Sequence, residues 1–97
     1  MSGPSQPKVV GEVWEDERLR SFLELKPLDG TDPDYHVLRQ AYEHMPEEPF
    51  ARFVGFFVEA GRNINATGPD GETLLARISR HRRSQAYAEA LKAAGAH

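Results

Sequence analysis

The sequence contains no cysteine among its 97 residues, so neither a disulfide framework nor a thiolate metal site can form. That absence fits a reducing compartment. No apolar run approaches the roughly 18 to 20 residues that a bilayer span requires. The opening MSGPSQPK offers no apolar segment that would serve as a signal peptide. The expected location is therefore cytoplasmic, with no membrane among the expected partners, and Asn65-Ala66-Thr67 is a chance match to a glycosylation sequon.

The groups that carry catalysis are also missing. Without Cys and without a Gly-x-Ser-x-Gly elbow, covalent catalysis has no candidate nucleophile. The four histidines, His36, His44, His81 and His97, include no pair at three- or four-residue spacing that would share a metal on one helix face. Adjacent carboxylates, Glu15-Asp16-Glu17 and Glu47-Glu48, diverge on a helix instead of converging as an acid and base pair must. The segment opening at Asn63 begins like a calcium loop, but Leu74 stands where the closing bidentate carboxylate belongs. Gly68-Pro69-Asp70-Gly71-Glu72-Thr73 opens a helix without the lysine of a phosphate loop. The chain is expected to be no enzyme and to use no cofactor or metal.

What is present is ordinary for a globular domain: 39% hydrophobic and 28% charged residues, enough for one small core. The net charge of −3 is unevenly spread. Residues 12–48 hold eleven acids against four bases, whereas residues 49–97 hold four acids against seven bases. Either the halves attract each other within the fold, or one of them recruits a charged partner.

Along the chain, residues 1–12 read as a mobile tail, with Pro4, Pro7, two serines and two glycines and no periodic apolar pattern beyond Val9-Val10. Leu19, Phe22 and Leu23 predict a first helix over residues 14–26, with Trp14 as an anchor that folds the tail onto the core or as a binding residue. Asp32 as cap and Pro33 at the first helical position open a second, with Tyr35, Leu38, Ala41, Tyr42 and Met45 facing inward. Pro46-Glu47-Glu48-Pro49 reads as a break. Phe50, Phe53, Val54, Phe57 and Val58 complete the template of a third amphipathic helix, which Gly61 terminates. Phe56 lies off that stripe, as a contact to a neighbouring helix or as a binding hot spot. After a turn-rich link in which Ile64 is the buried candidate, a fourth helix spans residues 72–80 on Leu74, Leu75 and Ile78. A fifth, capped by Ser84, uses Tyr87, Leu91 and Ala94.

Residues 63–97 resemble an ankyrin repeat. Asn65-Ala66, Gly71, Thr73 and Leu75 fall on the family's N-A-x-D-x-x-G-x-T-P-L-H-x-A pattern, and Gly95-Ala96 closes the second helix. Upstream, Phe57-Val58-Glu59-Ala60-Gly61 matches the closing L-L-x-x-G of a preceding repeat. Leu74, Ala76 and Ile78 depart from the family's Pro, His and Ala. Over its whole length the chain also resembles a small uncharacterised gammaproteobacterial family, which implies no activity. The spacing of apolar residues predicts an all-α fold of about five short helices, and the ankyrin resemblance implies that they pair as antiparallel hairpins with an N-terminal capping helix. An array needs about three repeats to bury a continuous core, so the first helix, or a second copy of the chain, should cover an open end. Residues 13–97 are then one helical domain, a monomer or weak homodimer.

One charged cluster stands out: Arg77, Arg80, Arg82 and Arg83, expected along one helix edge and the turn after it. It is either a solvated helix end that favours the negative dipole terminus or a contact for phosphates or an acidic protein surface. With Phe56 and the loop tips, these arginines are the candidate partner-binding residues. The function expected is that of a protein-binding adaptor module. The alternative is a nucleic-acid or ribosome-associated accessory factor, although no aromatic interleaves the arginines to stack bases.

Overall fold

The computed structural model describes residues 13–97, and the expected tail at residues 1–12 lies outside the described residues. The described part is all-helical: α1 (Asp16–Ser21), α2 (Pro33–His44), α3 (Glu47–Glu59), α4 (Leu74–Ile78) and α5 (Gln85–Ala93). Short 3-10 turns cover Phe22–Glu24 and Arg82–Ser84. Among the described residues there is no strand, only one isolated antiparallel bridge between Thr67 and Thr73.

Helix α2 begins where its cap residues say it must. Asp32 Oδ1 accepts the backbone N–H of Asp34 at 2.8 Å and of Tyr35 at 3.4 Å, and Pro33, which needs no donor there, fills the first turn. Tyr35, Leu38, Ala41 and Met45 are buried as expected, and Val37 joins them. The expected break falls at Met45 and Pro46, both extended, and is shorter than residues 46–49. Pro46 is the N-cap of α3, and Glu47, Glu48 and Pro49 form its first turn. A proline there sacrifices only an N–H that has no partner in any helix, and the two glutamates favour the positive end of the dipole. The link between α2 and α3 is correspondingly short.

Phe50, Phe53, Val54 and Phe57 of α3 are buried. Val58, placed on the same stripe by its spacing, is 39% exposed because the stripe drifts off the core by the last turn. Helices α3 and α5 end alike. Gly61 N–H bonds Val58 O at 2.9 Å and Arg62 N–H bonds Phe57 O at 3.3 Å; Gly95 N–H bonds Lys92 O and Ala96 N–H bonds Leu91 O, each at 3.0 Å. Both are Schellman closures, and both glycines hold the positive φ that the motif requires (79° and 106°). Leu91 and Ala96, the two residues that the second closure joins, are both buried.

The first helix is shorter than its pattern. It is α-helical only to Ser21, tightens into a 3-10 turn, and turns extended at Leu25, two residues before Pro27. Trp14 is buried against the Phe22 ring, with centroids 6.1 Å apart, which places it as an anchor. Arg52 of α3 pins this segment through Asp16 (2.9 Å) and the Trp14 carbonyl (2.7 Å). Arg62 pins the next stretch through Asp34 (3.1 Å) and the Leu23 carbonyl (2.7 Å). Both ion pairs join the acidic half to the basic half.

Helix α4 is also shorter than expected, with Thr73 as its cap: Thr73 Oγ1 accepts Ala76 N–H at 3.1 Å. Leu74, Leu75 and Ile78 are buried as anticipated. Ser84 precedes α5, but its hydroxyl bonds Tyr42 and caps nothing. Tyr42 packs edge to face on Phe50 and on Tyr87, and Phe50 packs tilted on Tyr87, with centroids 5.0 to 6.4 Å apart; Tyr87 donates to Met45 O at 2.7 Å. Burial, and then the Glu47 charge, raise the Tyr87 pKa.

Helix α2 packs on α3, and α4 on α5. Helix α3 packs on α5 and α2 on α4, while α1 and its 3-10 extension cover the opposite side of α2 and α3. A single hydrophobic cluster runs through all of them from Trp14 to Ala96.

Candidate functional site

Two loops lead into helices: residues 25–32 into α2 and residues 67–73 into α4. Each is stiffened by its own polar groups. Asp29 Oδ1 accepts Thr31 N–H at 2.9 Å, and the Thr31 side chain, then this N–H, lower the Asp29 pKa. In the second loop, Gly68 N–H bonds Glu72 O at 2.8 Å, and Asp70 Oδ1 accepts Glu72 N–H at 3.2 Å. The two loops stand side by side, with a cavity of about 460 Å³ between Asp29, Asp32, Thr67 and Pro69.

Gly68 sits at the wall of that cavity and is required there. A Cβ at this position would lie 2.6 Å from Tyr35 Cζ, so the turn can close on the buried tyrosine only without a side chain. Tyr35 Oη itself has no hydrogen-bond partner among the described residues.

Two more cavities flank the first loop. One, of about 560 Å³, has apolar walls from Leu23, Leu25, Pro27 and Pro33. The other, of about 340 Å³, lies between Leu28, Tyr35, His36 and Gln40. Between them the Leu28 side chain is fully exposed, and Leu25 is 39% exposed. A leucine left entirely in water gains nothing for the fold, because its apolar surface is buried in neither direction.

The sequence-based candidates lie elsewhere. Arg80 is beyond the end of α4 and grips Glu72 with the two terminal guanidinium nitrogens, at 2.7 and 3.0 Å. The pairing lowers the Glu72 pKa and raises that of Arg80. Arg82 and Arg83 are exposed on the 3-10 turn, and neither they nor half-buried Arg77 form an ion pair among the described residues. Arg80 and Arg82 come together on a groove of about 310 Å³ between α4 and α5; Arg77 and Arg83 do not line it. Phe56 is half-buried on the α1 side of α3 with the Arg20 guanidinium 4.3 Å over its ring, so it is a helix–helix contact.

Sequence reasoning passed over Leu25 and Leu28. Their signal was composition: two leucines on either side of Lys26-Pro27 and next to Asp29-Gly30, in a stretch of turn residues where no helical face can bury them. Among the described residues no group of His, Cys, Asp and Glu converges as a metal site, and no helix is long and apolar enough to cross a membrane. No protein-family model, curated protein or solved structure matches the chain.

Proposed function

We propose that this chain is a protein-binding adaptor module and that its loop-tip face, residues 25–32 with residues 67–73 beside them, is the surface that meets the partner. The observation that carries the reading is the fully exposed Leu28, set with Leu25 between two cavities on loops whose backbones are already stiffened by local hydrogen bonds. A stiff loop presenting an apolar side chain loses little conformational entropy on docking, so most of the burial gained appears as affinity. The arrangement of two stacked hairpins with their loops at one edge supports the ankyrin-like reading of the sequence, and repeat stacks commonly bind through such an edge. The module acts by holding a partner and has no catalytic role in this reading.

The test is affinity capture from lysate with nuclease present, comparing the wild type with Leu25→Ser/Leu28→Ser. A protein retained in stoichiometric amount by the wild type and lost by the variant is the expected result. A second reading, contact with nucleic-acid phosphates, is favoured by one observation: Arg82 and Arg83 are exposed and unpaired among the described residues. It predicts captures that vanish with nuclease and weaken by roughly 0.7 to 0.9 log units per phosphate contact for each log unit of salt.

A further inference from the structure

We infer that the protein met by the loop-tip face carries an arginine beside an exposed apolar side chain: the guanidinium enters the cavity between Asp29 and Asp32, and the apolar group packs on Leu28. The inference rests on the loop-tip reading and names the chemistry of its partner.

The cavity of about 460 Å³ between the two loops is lined by two carboxylates, Asp29 and Asp32, and by no base. Both are exposed, and neither forms an ion pair among the described residues. Each gives Oδ1 to backbone N–H groups, Asp29 to Thr31 and Asp32 to the first turn of α2. These bonds fix where each carboxylate stands without cancelling its charge. The Thr31 side chain, then its N–H, hold the Asp29 pKa below its ordinary value, so the group is ionised at neutral pH. A planar guanidinium, with its donors spread in a rigid fork, is the side chain suited to bonding carboxylates in such a cavity.

The apolar half of the site adjoins the acidic half. Asp29 and Thr31 also line the two cavities that flank the first loop, so all three cavities meet at the residue that follows fully exposed Leu28 in the chain. The surrounding charges select the partner. Residues 25–32 and 67–73 hold four acids, Asp29, Asp32, Asp70 and Glu72, against Lys26 alone, and of the four only Glu72 forms an ion pair among the described residues. Such a face attracts a basic protein surface and repels a nucleic acid. Two features oppose a cation, the positive end of the α2 dipole and Lys26. Asp32, the cap of α2, offsets the first, and Lys26 does not line the acidic cavity. A metal ion fits less well, since among the described residues no third Asp, Glu or His joins the pair.

The test is an amide-shift NMR titration of the full chain at low salt with the flexible peptides Gly-Leu-Gly-Arg-Gly and Gly-Arg-Gly-Leu-Gly, blocked at both ends. The same peptides with citrulline, a neutral isostere, in place of arginine and calcium chloride alone serve as comparison probes. An arginine peptide should shift amides of residues 28–32 and 67–69 and bind about fivefold or more tightly than its citrulline counterpart, as charge-assisted contacts require. Asp29→Asn and Asp32→Asn keep the oxygen that accepts the backbone N–H and lose only the charge, so each should weaken the arginine peptide several-fold with the fold intact. Leu28→Ser should weaken the arginine and citrulline peptides alike, and Glu89→Gln, exposed on α5, should change neither. Equal affinity for the two kinds of peptide, or no binding by either arginine peptide, would overturn the inference. So would calcium binding more tightly than the peptides, or loop-tip amides that move as far with the chain's own concentration, which would make a second copy the occupant. Capture from lysate separates this inference from the reading beneath it. A protein lost by Leu25→Ser/Leu28→Ser but fully retained by Asp29→Asn/Asp32→Asn would overturn the inference alone, whereas capture indifferent to the leucines would overturn the loop-tip reading.

Discussion

Gly55 and Gly68 make opposite predictions from the same chemical change. A Cβ on Gly55, in the middle of α3, meets nothing within 4 Å, so Gly55→Ala should add about 0.5 to 1 kcal/mol through helix propensity. A Cβ on Gly68 meets the buried Tyr35 ring at 2.6 Å, so Gly68→Ala should cost about 1 to 3 kcal/mol by overpacking. Urea midpoints moving in opposite directions are the check. The sequence marks both positions as glycine but not this difference, because the residue that decides it, Tyr35, sits on another helix. Gly61 was legible by contrast, because its partner carbonyls belong to the apolar run that it ends. Glu72 is the residue-scale test of electrostatics. Arg80 lowers its folded pKa beneath the ordinary 4.5, so the pair's contribution is complete above that value and is lost as pH falls through the folded pKa. An NMR titration should place the Glu72 midpoint below 4.5 in the wild type and return it toward the ordinary value in Arg80→Ala.

The elements differ in how openly they declare themselves. Helix α2 is written in local chemistry, with a capping Asp, a first-turn Pro and an inward face at helical steps, and its start emerges at the expected residue. Helix α3 conceals its start, because Pro49 resembles a breaker until its place in the first turn is known. Helix α1 looked longer than it is, since Leu23 continues the spacing while the approach to Pro27 turns the backbone extended. The caps give the measurable consequence. Asp32→Ala and Thr73→Ala each remove a side-chain acceptor from exposed helix N-termini, and each should cost about 1 kcal/mol in thermal or chemical unfolding. Replacing Ser84 removes no cap. Its effect belongs instead to the Tyr42 contact that fastens the start of α5 to α2.

At the scale of the whole molecule, the uneven charge of the sequence is partly spent inside the fold, through Asp16–Arg52 and Asp34–Arg62, and partly left on the surface at Arg77, Arg82 and Arg83. The all-α class followed from periodicity. The loop tips were also expected, but not which residues on them stand out, because the full exposure of Leu28 depends on how its loop is seated against α2. Leu28→Ser should therefore leave unfolding within about 0.5 kcal/mol of the wild type, as for a surface position. The most direct measurement is hydrogen–deuterium exchange on the chain alone and in complex with the protein that it captures. Amides of residues 25–32 and 67–73 should gain protection on binding. A complex that forms while those amides exchange as they do in the free chain would contradict the assignment of the loop tips as the partner surface.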